Sequence, residues 1–384
     1  MKALFVDQYS QPGGAQLCLR EVMDAARVRG WQSWLMVPGD GLPASIAGYA
    51  SGRKRARDVG AFGFDTIRAA IAMRRRIREQ RIDVLYANGP RVLAAAALTG
   101  TPLVFHVHSY LAQGSARAIA YLSLRFGRVR ILAASKFVAS PLIRMRCGPV
   151  QVIYNGITEQ TFRPRSFASP AITIGIVGRI AREKGHIDFM LAAHEVAAAY
   201  PQTRFVVYGS GLFSGTAYEE EVHRAACGMN VEFRGWTDNI GEALHQIDVL
   251  AVPSAPVDSL PRVIPEALSA GTPVVAYPSG GIPELMRSRY NCLLTQSGDA
   301  GALSGAICEL IGDRNLMRWL AVNGRIDWER RFQLARFQRQ VCDAVEEFVK
   351  EIASGARSLD SLEPPRTASG ESPEASKVIR TTAG

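Results

Sequence analysis

Cysteine pairs spaced for a metal or a disulfide loop are missing from this 384-residue chain. Its six cysteines, Cys18, Cys147, Cys227, Cys292, Cys308 and Cys342, are scattered and form no CxxC pair. Free, buried thiols in a reducing cytosol are the expectation. The sequence also lacks an HExxH motif, an Asp-x-Asp element and any other clear ligand cluster. No structural or catalytic metal is therefore expected. Long apolar runs are missing too. The richest stretch, 92–98, is mostly alanine and soon meets Thr99 and Gly100, which argues against a membrane span. The opening Met1-Lys-Ala-Leu-Phe-Val-Asp7 has a very short apolar run and an early Asp, so it reads as a first strand rather than a signal peptide. The expected location is the cytoplasm, with peripheral attachment to the inner face of the membrane left open.

Acidic residues are scarce in one half only. Residues 1–155 hold 22 Lys and Arg against 8 Asp and Glu, a net +14, and the remainder of this +10 chain is −4. Such a field attracts anions: nucleic acid, anionic lipid or a phosphorylated acceptor. No RNA-binding motif or aromatic interleaving accompanies the charge, which disfavours nucleic acid as a partner. Part of the excess lies in Arg53-Lys54-Arg55-Ala56-Arg57 and in a helix expected over 65–80. There Ala69, Ala70, Met73 and Ile77 share one side at helical spacing. Arg68, Arg75 and Arg78 lie off that side, flanked by Arg74 and Arg76. A solvated face fits this pattern, and so does contact with anionic lipid or a lipid-diphosphate acceptor.

The length suits two sizeable cores. Strand-like runs at 3–6, 33–37, 84–87, 103–107, 131–134 and 150–154 alternate with helical patterns such as 15–29 and 65–80. The pattern restarts near residue 171. Strands are expected over 171–177, 204–208, 231–234, 249–252 and 273–276, and helices over 187–200, 216–227, 240–246 and 261–270. Such alternation implies parallel strands with crossover helices. The expected layout is an N-terminal Rossmann-like domain over 1–160 and a linker over 161–170. A second domain follows over 171–335, then a C-terminal helix over 336–353 and a disordered tail over 354–384. The linker holds two prolines, two serines and two arginines, and the tail is rich in Ser, Pro, Glu, Ala and Gly.

Three motifs carry candidate chemistry. Pro12-Gly13-Gly14-Ala15 follows the first strand, where paired glycines admit a ligand close to the backbone and a helix start offers N–H groups to an anion. A tight strand-to-helix turn gives the same pattern. Gly178-Arg179-Ile-Ala-Arg-Glu-Lys184-Gly185 follows the first strand of the second half. Arg179 brings a planar fork of donors and Lys184 a compact charge, both suited to a diphosphate. Last, Pro253-Ser254 precede Asp258 and Glu266, which are separated by seven residues. A helix opening near Pro261, as an N1 residue, would put Asp258 on the loop and Glu266 within the helix. The two carboxylates could then serve two ends of a polar ligand, with phosphate on the N–H groups between them. Compensation of the helix dipole accounts for acids there equally well.

The combination resembles glycosyltransferase family 4, a retaining group with the GT-B fold. The matching pieces are Gly13-Gly14, His106-Val-His108, Ile153-Tyr-Asn155-Gly156-Ile157, Gly178-Arg179 with Lys184-Gly185, and Val207-Tyr-Gly209-Ser-Gly211. They continue with Asp248-Val-Leu-Ala-Val-Pro253-Ser254 and Gly280-Gly281-Ile-Pro-Glu284, and span roughly residues 1–350. The resemblance implies two Rossmann-like domains facing a central cleft. It implies donor binding by Gly14, Arg179, Lys184 and Glu266, with Glu266 on ribose hydroxyls and Arg179 and Lys184 on the diphosphate. Catalytic roles fall to His108 and to Asp258, the latter on the sugar; His106 is the alternative histidine. The donor is a nucleotide sugar and the acceptor a saccharide or lipid-linked molecule, with no cofactor beyond the donor and with an anionic membrane surface as a further partner. Two departures stand out: Asp258 replaces a glutamate, and Ser259-Leu260-Pro261 replaces Gly-Phe-Gly. They keep open a nucleotide-sugar-binding protein without turnover, beside a GT-B epimerase. A phosphorylase would need a cofactor lysine in a recognisable context, and none is found.

Overall fold

The computed structural model describes residues 1–10, 13–44, 56–112, 114–125, 127–162, 171–211, 216–256 and 258–355. Pro12, Arg53-Lys54-Arg55, residues 163–170 of the expected linker and residues 356–384 of the expected tail lie outside that set.

Two parallel sheets organise the chain. The first contains β1 (Lys2–Asp7), β2 (Gln32–Pro38), β3 (Gly41–Leu42), β4 (Val84–Asn88), β5 (Leu103–Val107), β6 (Val129–Ala133) and β7 (Val150–Val152), in the order β3-β2-β1-β4-β5-β6-β7. Its helices are α1 (Gly14–Val28), α2 (Ala56–Gln80), α3 (Leu93–Ala97), α4 (Ser115–Arg125) and α5 (Lys136–Arg144). The second sheet contains β8 (Thr173–Val177), β9 (Arg204–Tyr208), β10 (Val231–Gly235), β11 (Val249–Val252), β12 (Val274–Ala276) and β13 (Leu293–Leu294), in the order β10-β9-β8-β11-β12-β13. With it go α6 (His186–Ala199), α7 (Thr216–Ala225), α8 (Ile240–His245), α9 (Val263–Ala270), α10 (Ile282–Leu285), α11 (Ala300–Gly312) and α12 (Arg314–Arg331). The central strands β4, β5 and β11 are buried at every position, because helices cover both faces of a parallel sheet. That is why they read as continuous apolar runs rather than alternating ones.

Strand order reverses at β1, which pairs with β2 on one side and β4 on the other, and again at β8, between β9 and β11. In open α/β sheets the crevice for ligands opens at the carboxyl ends of strands at such a reversal. A last helix, α13 (Leu334–Ala353), leaves the second unit and packs on the first. Its Phe337, Val341 and Val345 join Phe5, Leu19 and Trp31 in one core. Trp31 Nε1 donates to Glu346 Oε1 at 3.0 Å, and Arg29 bridges Asp343 at 2.7 Å and Glu346 at 3.2 Å. The two passages between the units lie side by side: Ile157 N donates to Phe332 O at 2.8 Å, and Leu334 N to Ile157 O at 3.2 Å.

Several expectations need correction. α9 opens at Val263, with Arg262 as its N-cap, so Pro261 lies before the helix rather than at N1. Pro261 therefore removes no N–H from the first turn. The proline inside that turn is Pro265, whose missing N–H is one that a helix start leaves unpaired anyway. α2 starts nine residues before 65. Gly60 and Gly63 weaken the local preference there, and tertiary context overrides it. β3 and β13 are two residues each, too short to show a period, and β7 ends at Val152 rather than 154.

Candidate active site

The site grows from the carboxyl ends of β8 and β11. After β8 the chain passes Gly178 and Arg179 and makes a short 3-10 turn, Arg182–Lys184. Gly185 then takes a left-handed φ of 74°, and a Cβ there would stand 1.9 Å from Pro253 O. Only glycine lets this loop rest against the end of β11. The contact brings Lys184 to the loop carrying Asp258, and their side chains meet at Nζ–Oδ2 2.7 Å with 20% and 12% exposure. That loop is backed by Gly280, whose φ is 54° and whose added Cβ would lie 1.8 Å from Asp258 O. Gly281 N donates to Ser259 O at 2.7 Å. Arg179 turns instead onto Glu183, with Nη2–Oε1 3.0 Å. The two cations assigned to a diphosphate are thus each held by a carboxylate, and Asp258, assigned to the sugar, is the one that holds Lys184.

Arg262, which the sequence reading did not single out, is the centre of a second cluster. Its guanidinium donates to both oxygens of Glu21 on α1, at 2.8 and 3.1 Å, and to Cys18 Sγ at 3.0 Å. One turn along α9, Glu266 Oε1 lies 3.8 Å from Arg262 Nε. All three charged side chains are largely buried. Burial raises the Glu266 carboxyl above its ordinary value, with Arg262 opposing and Glu21 adding to the rise. Gly14, in the first turn of α1, lies beside this cation: a Cβ there would meet Arg262 Cδ at 3.5 Å. That is an ordinary van der Waals contact, and the backbone conformation of Gly14 is not strained.

From the first sheet comes His108, just past the end of β5. Its Nε2 lies 2.9 Å from Asn88 Oδ1 at the end of β4. Asn88 Nδ2 donates in turn to Asp7 Oδ2 at the end of β1, at 2.6 Å. Burial, and next the charge of Arg262, push the His108 imidazole down to about 3, so it is neutral. His106 is an interior residue of β5, at 1% exposure, with Nδ1 2.5 Å from Tyr86 Oη. Its ring centroid is 4.0 Å from that of His108. The two histidines are neighbours, and His108 is the one at the strand end.

The units touch elsewhere around this cleft. Glu284 of α10 accepts from Lys136 N and Phe137 N at 2.7 Å each, at the start of α5, and from Tyr154 Oη at 2.9 Å. A carboxylate at a helix N-terminus is favourably placed. Tyr110 N donates to Ser259 Oγ at 3.2 Å. Asp7, Glu21, Asn88 and Arg262 were missed in the sequence. Arg262, four residues before Glu266, carries the one signal that could have flagged any of them. Among the described residues no group of three or more His, Cys, Asp or Glu could hold a metal.

Comparison with known proteins agrees on one family. The family model for Glycosyltransferase Family 4 matches residues 12–161, and that for Glycosyl transferases group 1 matches residues 171–313. The 2-deoxystreptamine N-acetyl-D-glucosaminyltransferase of Streptomyces fradiae is 30% identical over 170 residues, covering 43% of this chain. The match spans only 40% of that relative's own length. HepE of Anabaena, solved in complex with UDP, superposes with a TM-score of 0.73 at 24% identity, over 90% of this chain and 100% of that one. Sucrose-phosphate synthase of Thermosynechococcus elongatus gives a TM-score of 0.75 at 18% identity, over 91% and 100%. Both share the two-sheet GT-B architecture seen here. With one family model on each unit and this cleft between them, the chain belongs to the group 1, family 4 glycosyltransferases of GT-B fold.

Proposed function

We propose that the protein is a retaining glycosyltransferase. It would move a hexose-type unit from a nucleoside diphosphate sugar to a saccharide or lipid-linked acceptor, in polysaccharide or lipopolysaccharide assembly. The observation that carries this reading is the meeting of Lys184, Asp258, Arg262 and Glu266 at the carboxyl ends of one sheet, against Gly14 and His108 of the other. The transferase activity of the Streptomyces fradiae relative and the UDP complex of HepE support it. Glu266 would bind ribose hydroxyls. Lys184 and Arg179 would exchange their carboxylate partners for the diphosphate, neutralising it as it departs without a metal ion. The bond from the anomeric carbon to the phosphate oxygen breaks as the bond to the acceptor oxygen forms on the same face. The acceptor proton passes to the leaving phosphate.

An anionic membrane surface is the further partner of this reading. On α2, Phe64, Ile67 and Ile71 are exposed at 63%, 55% and 60%, in one row with exposed Arg68, Arg74, Arg75 and Arg78. Beside the row lies an open hollow of about 560 Å3, lined by Ile71, Ala72, Arg68, Arg75 and Glu79 among others. Apolar side chains flanked by arginines match the headgroup region of an anionic bilayer, by insertion and by charge. No helix among the described residues is long and apolar enough to cross a membrane.

The reading is tested by incubating the protein with a panel of nucleoside diphosphate sugars and an acceptor-rich extract, with and without EDTA. Release of nucleoside diphosphate that survives EDTA is expected. Stabilisation by a donor in thermal unfolding without release in any extract would identify a binder that does not turn over. Loss on chelation, restored by magnesium or manganese, would overturn the metal-free part.

A further inference from the structure

Asn88 joins three strand ends, and its amide can be oriented from chemistry alone. The nitrogen Nδ2 lies 2.6 Å from Asp7 Oδ2 and 3.2 Å from Ala15 O. A backbone carbonyl only accepts, so the amide nitrogen must be on that side whatever the protonation state of Asp7. Asp7 is itself held in place: its Oδ1 accepts from Tyr9 N and from Gln16 Nε2, both at 2.9 Å. With the nitrogen so committed, Asn88 presents its carbonyl oxygen to His108, at 2.9 Å from Nε2. An amide oxygen also only accepts, so Nε2 must carry the proton. A neutral imidazole holds one proton, and Nδ1 is therefore a bare lone pair. Among the described residues Nδ1 is buried and has no hydrogen-bond partner.

We infer that Asn88, oriented by Asp7 and the Ala15 carbonyl, is a positioning residue that fixes His108 in the Nε2–H tautomer, leaving Nδ1 as a buried, unfilled acceptor for a ligand hydroxyl. A buried acceptor without a donor is costly, and such a group is commonly completed by a ligand or a water. A sugar hydroxyl supplies the donor, whereas a phosphate oxygen, which only accepts, is refused. His108 would then select the sugar end of a ligand over its anionic end. The identity of that hydroxyl rests on the proposed function; the tautomer does not.

The test needs no ligand, so its outcome is separate from that of the transferase reading. Two-bond 1H–15N correlation spectra of full-length protein labelled with 15N-histidine report which ring nitrogen is protonated, with His108→Gln supplying the assignment. At neutral pH the His108 signals should show a protonated Nε2 and a bare Nδ1. In Asn88→Ala this separation should collapse towards the average of two exchanging tautomers, with Asn88→Ser as the substitute if the alanine variant does not fold. A proton on Nδ1 in the wild type, an imidazolium, or a folded variant with an unchanged pattern overturns the inference. If neither variant folds, the wild-type spectrum decides alone.

Discussion

Arg262 ties the two units together directly. It holds Glu21 across the cleft through two hydrogen bonds, with 13% and 14% of the two side chains exposed. Removing one member of a buried pair strands the other, at a cost of about 3–5 kcal/mol, whereas replacing both by apolar groups is close to neutral. Arg262→Met should accordingly destabilise the protein by that amount in urea unfolding. Glu21→Met with Arg262→Met should recover the part due to Glu21, with the remainder due to Glu266 left without its cation. A loss under about 1 kcal/mol in the single variant would show that Glu21 and Glu266 are not held by this cation. Glu266→Ala bears on the ligand instead. Loss of a charged hydrogen bond to ribose should weaken donor binding by about 1.5–3 kcal/mol in calorimetry. Unchanged affinity in a folded variant would remove Glu266 from the donor site. None of the cross-cleft pairing was legible in the sequence, because Arg262 and Glu21 are 241 residues apart. The position of Glu266 in the first turn of the helix after Asp258 was legible, because that offset is local.

Among the elements, α2 shows where periodicity informs and where it misleads. The row Ala69, Ala70 and Met73 is buried, as helical spacing suggests for a core face. The same spacing conceals a second apolar row, Phe64, Ile67 and Ile71, which the fold leaves exposed. Only the packing of the sheet against one side distinguishes them. Replacing Arg74, Arg75 and Arg78 by serine should reduce sedimentation with anionic vesicles, more so as salt is lowered, and leave donor affinity intact. Ile67→Ser with Ile71→Ser should weaken binding at every salt concentration, because insertion is not screened. Equal binding of the wild type to neutral and anionic vesicles would remove anionic charge from the proposed partner, and binding to neither would remove the membrane surface altogether, in both cases without touching the transferase chemistry. Helix α9 gives the complementary lesson. Its existence was legible from an apolar run ending in Gly271, but its start was not, since two prolines flank the true N-cap Arg262.

At the scale of the whole molecule, buried histidines tie stability to pH. Burial pushes His108 down to about 3 and His186 to about 4, and holds His106 well below the ordinary 6.5. The unfolded chain therefore takes up protons near 6.5 that the native chain refuses. Stability is full above that value and is lost as pH falls towards the native values. Each histidine costs up to about 1.4 kcal/mol per pH unit. Asp7 and Glu266 have raised values, chiefly through burial, and act in the opposite sense. As pH falls through them the native state gains, so they offset part of the loss at the acid end. Tm should fall between about pH 7 and about pH 5, and His108→Gln should flatten the slope. A Tm independent of pH over that range would mean that these rings are accessible to protons in the native state.

The sequence by itself determined the two runs of parallel strands with crossover helices, and it placed Gly14, His108 and Asp258 after strands and Glu266 in the helix that follows Asp258. All of these follow from the period and order of apolar runs and from turn residues within a few positions of one another. The strand order, with its reversals at β1 and β8, belongs to the tertiary structure. The tertiary structure alone decided which groups meet. Lys184 reaches Asp258 across 74 residues, Arg262 reaches Glu21 across 241, and α13 returns to pack on the first unit. Each pairing depends on how loops fold over one another and how two separately built units face, a geometry that local spacing does not encode. The tautomer of His108 belongs to the same class, since Asp7, Ala15 and Asn88 become its neighbours only when β1, β4 and β5 are laid side by side.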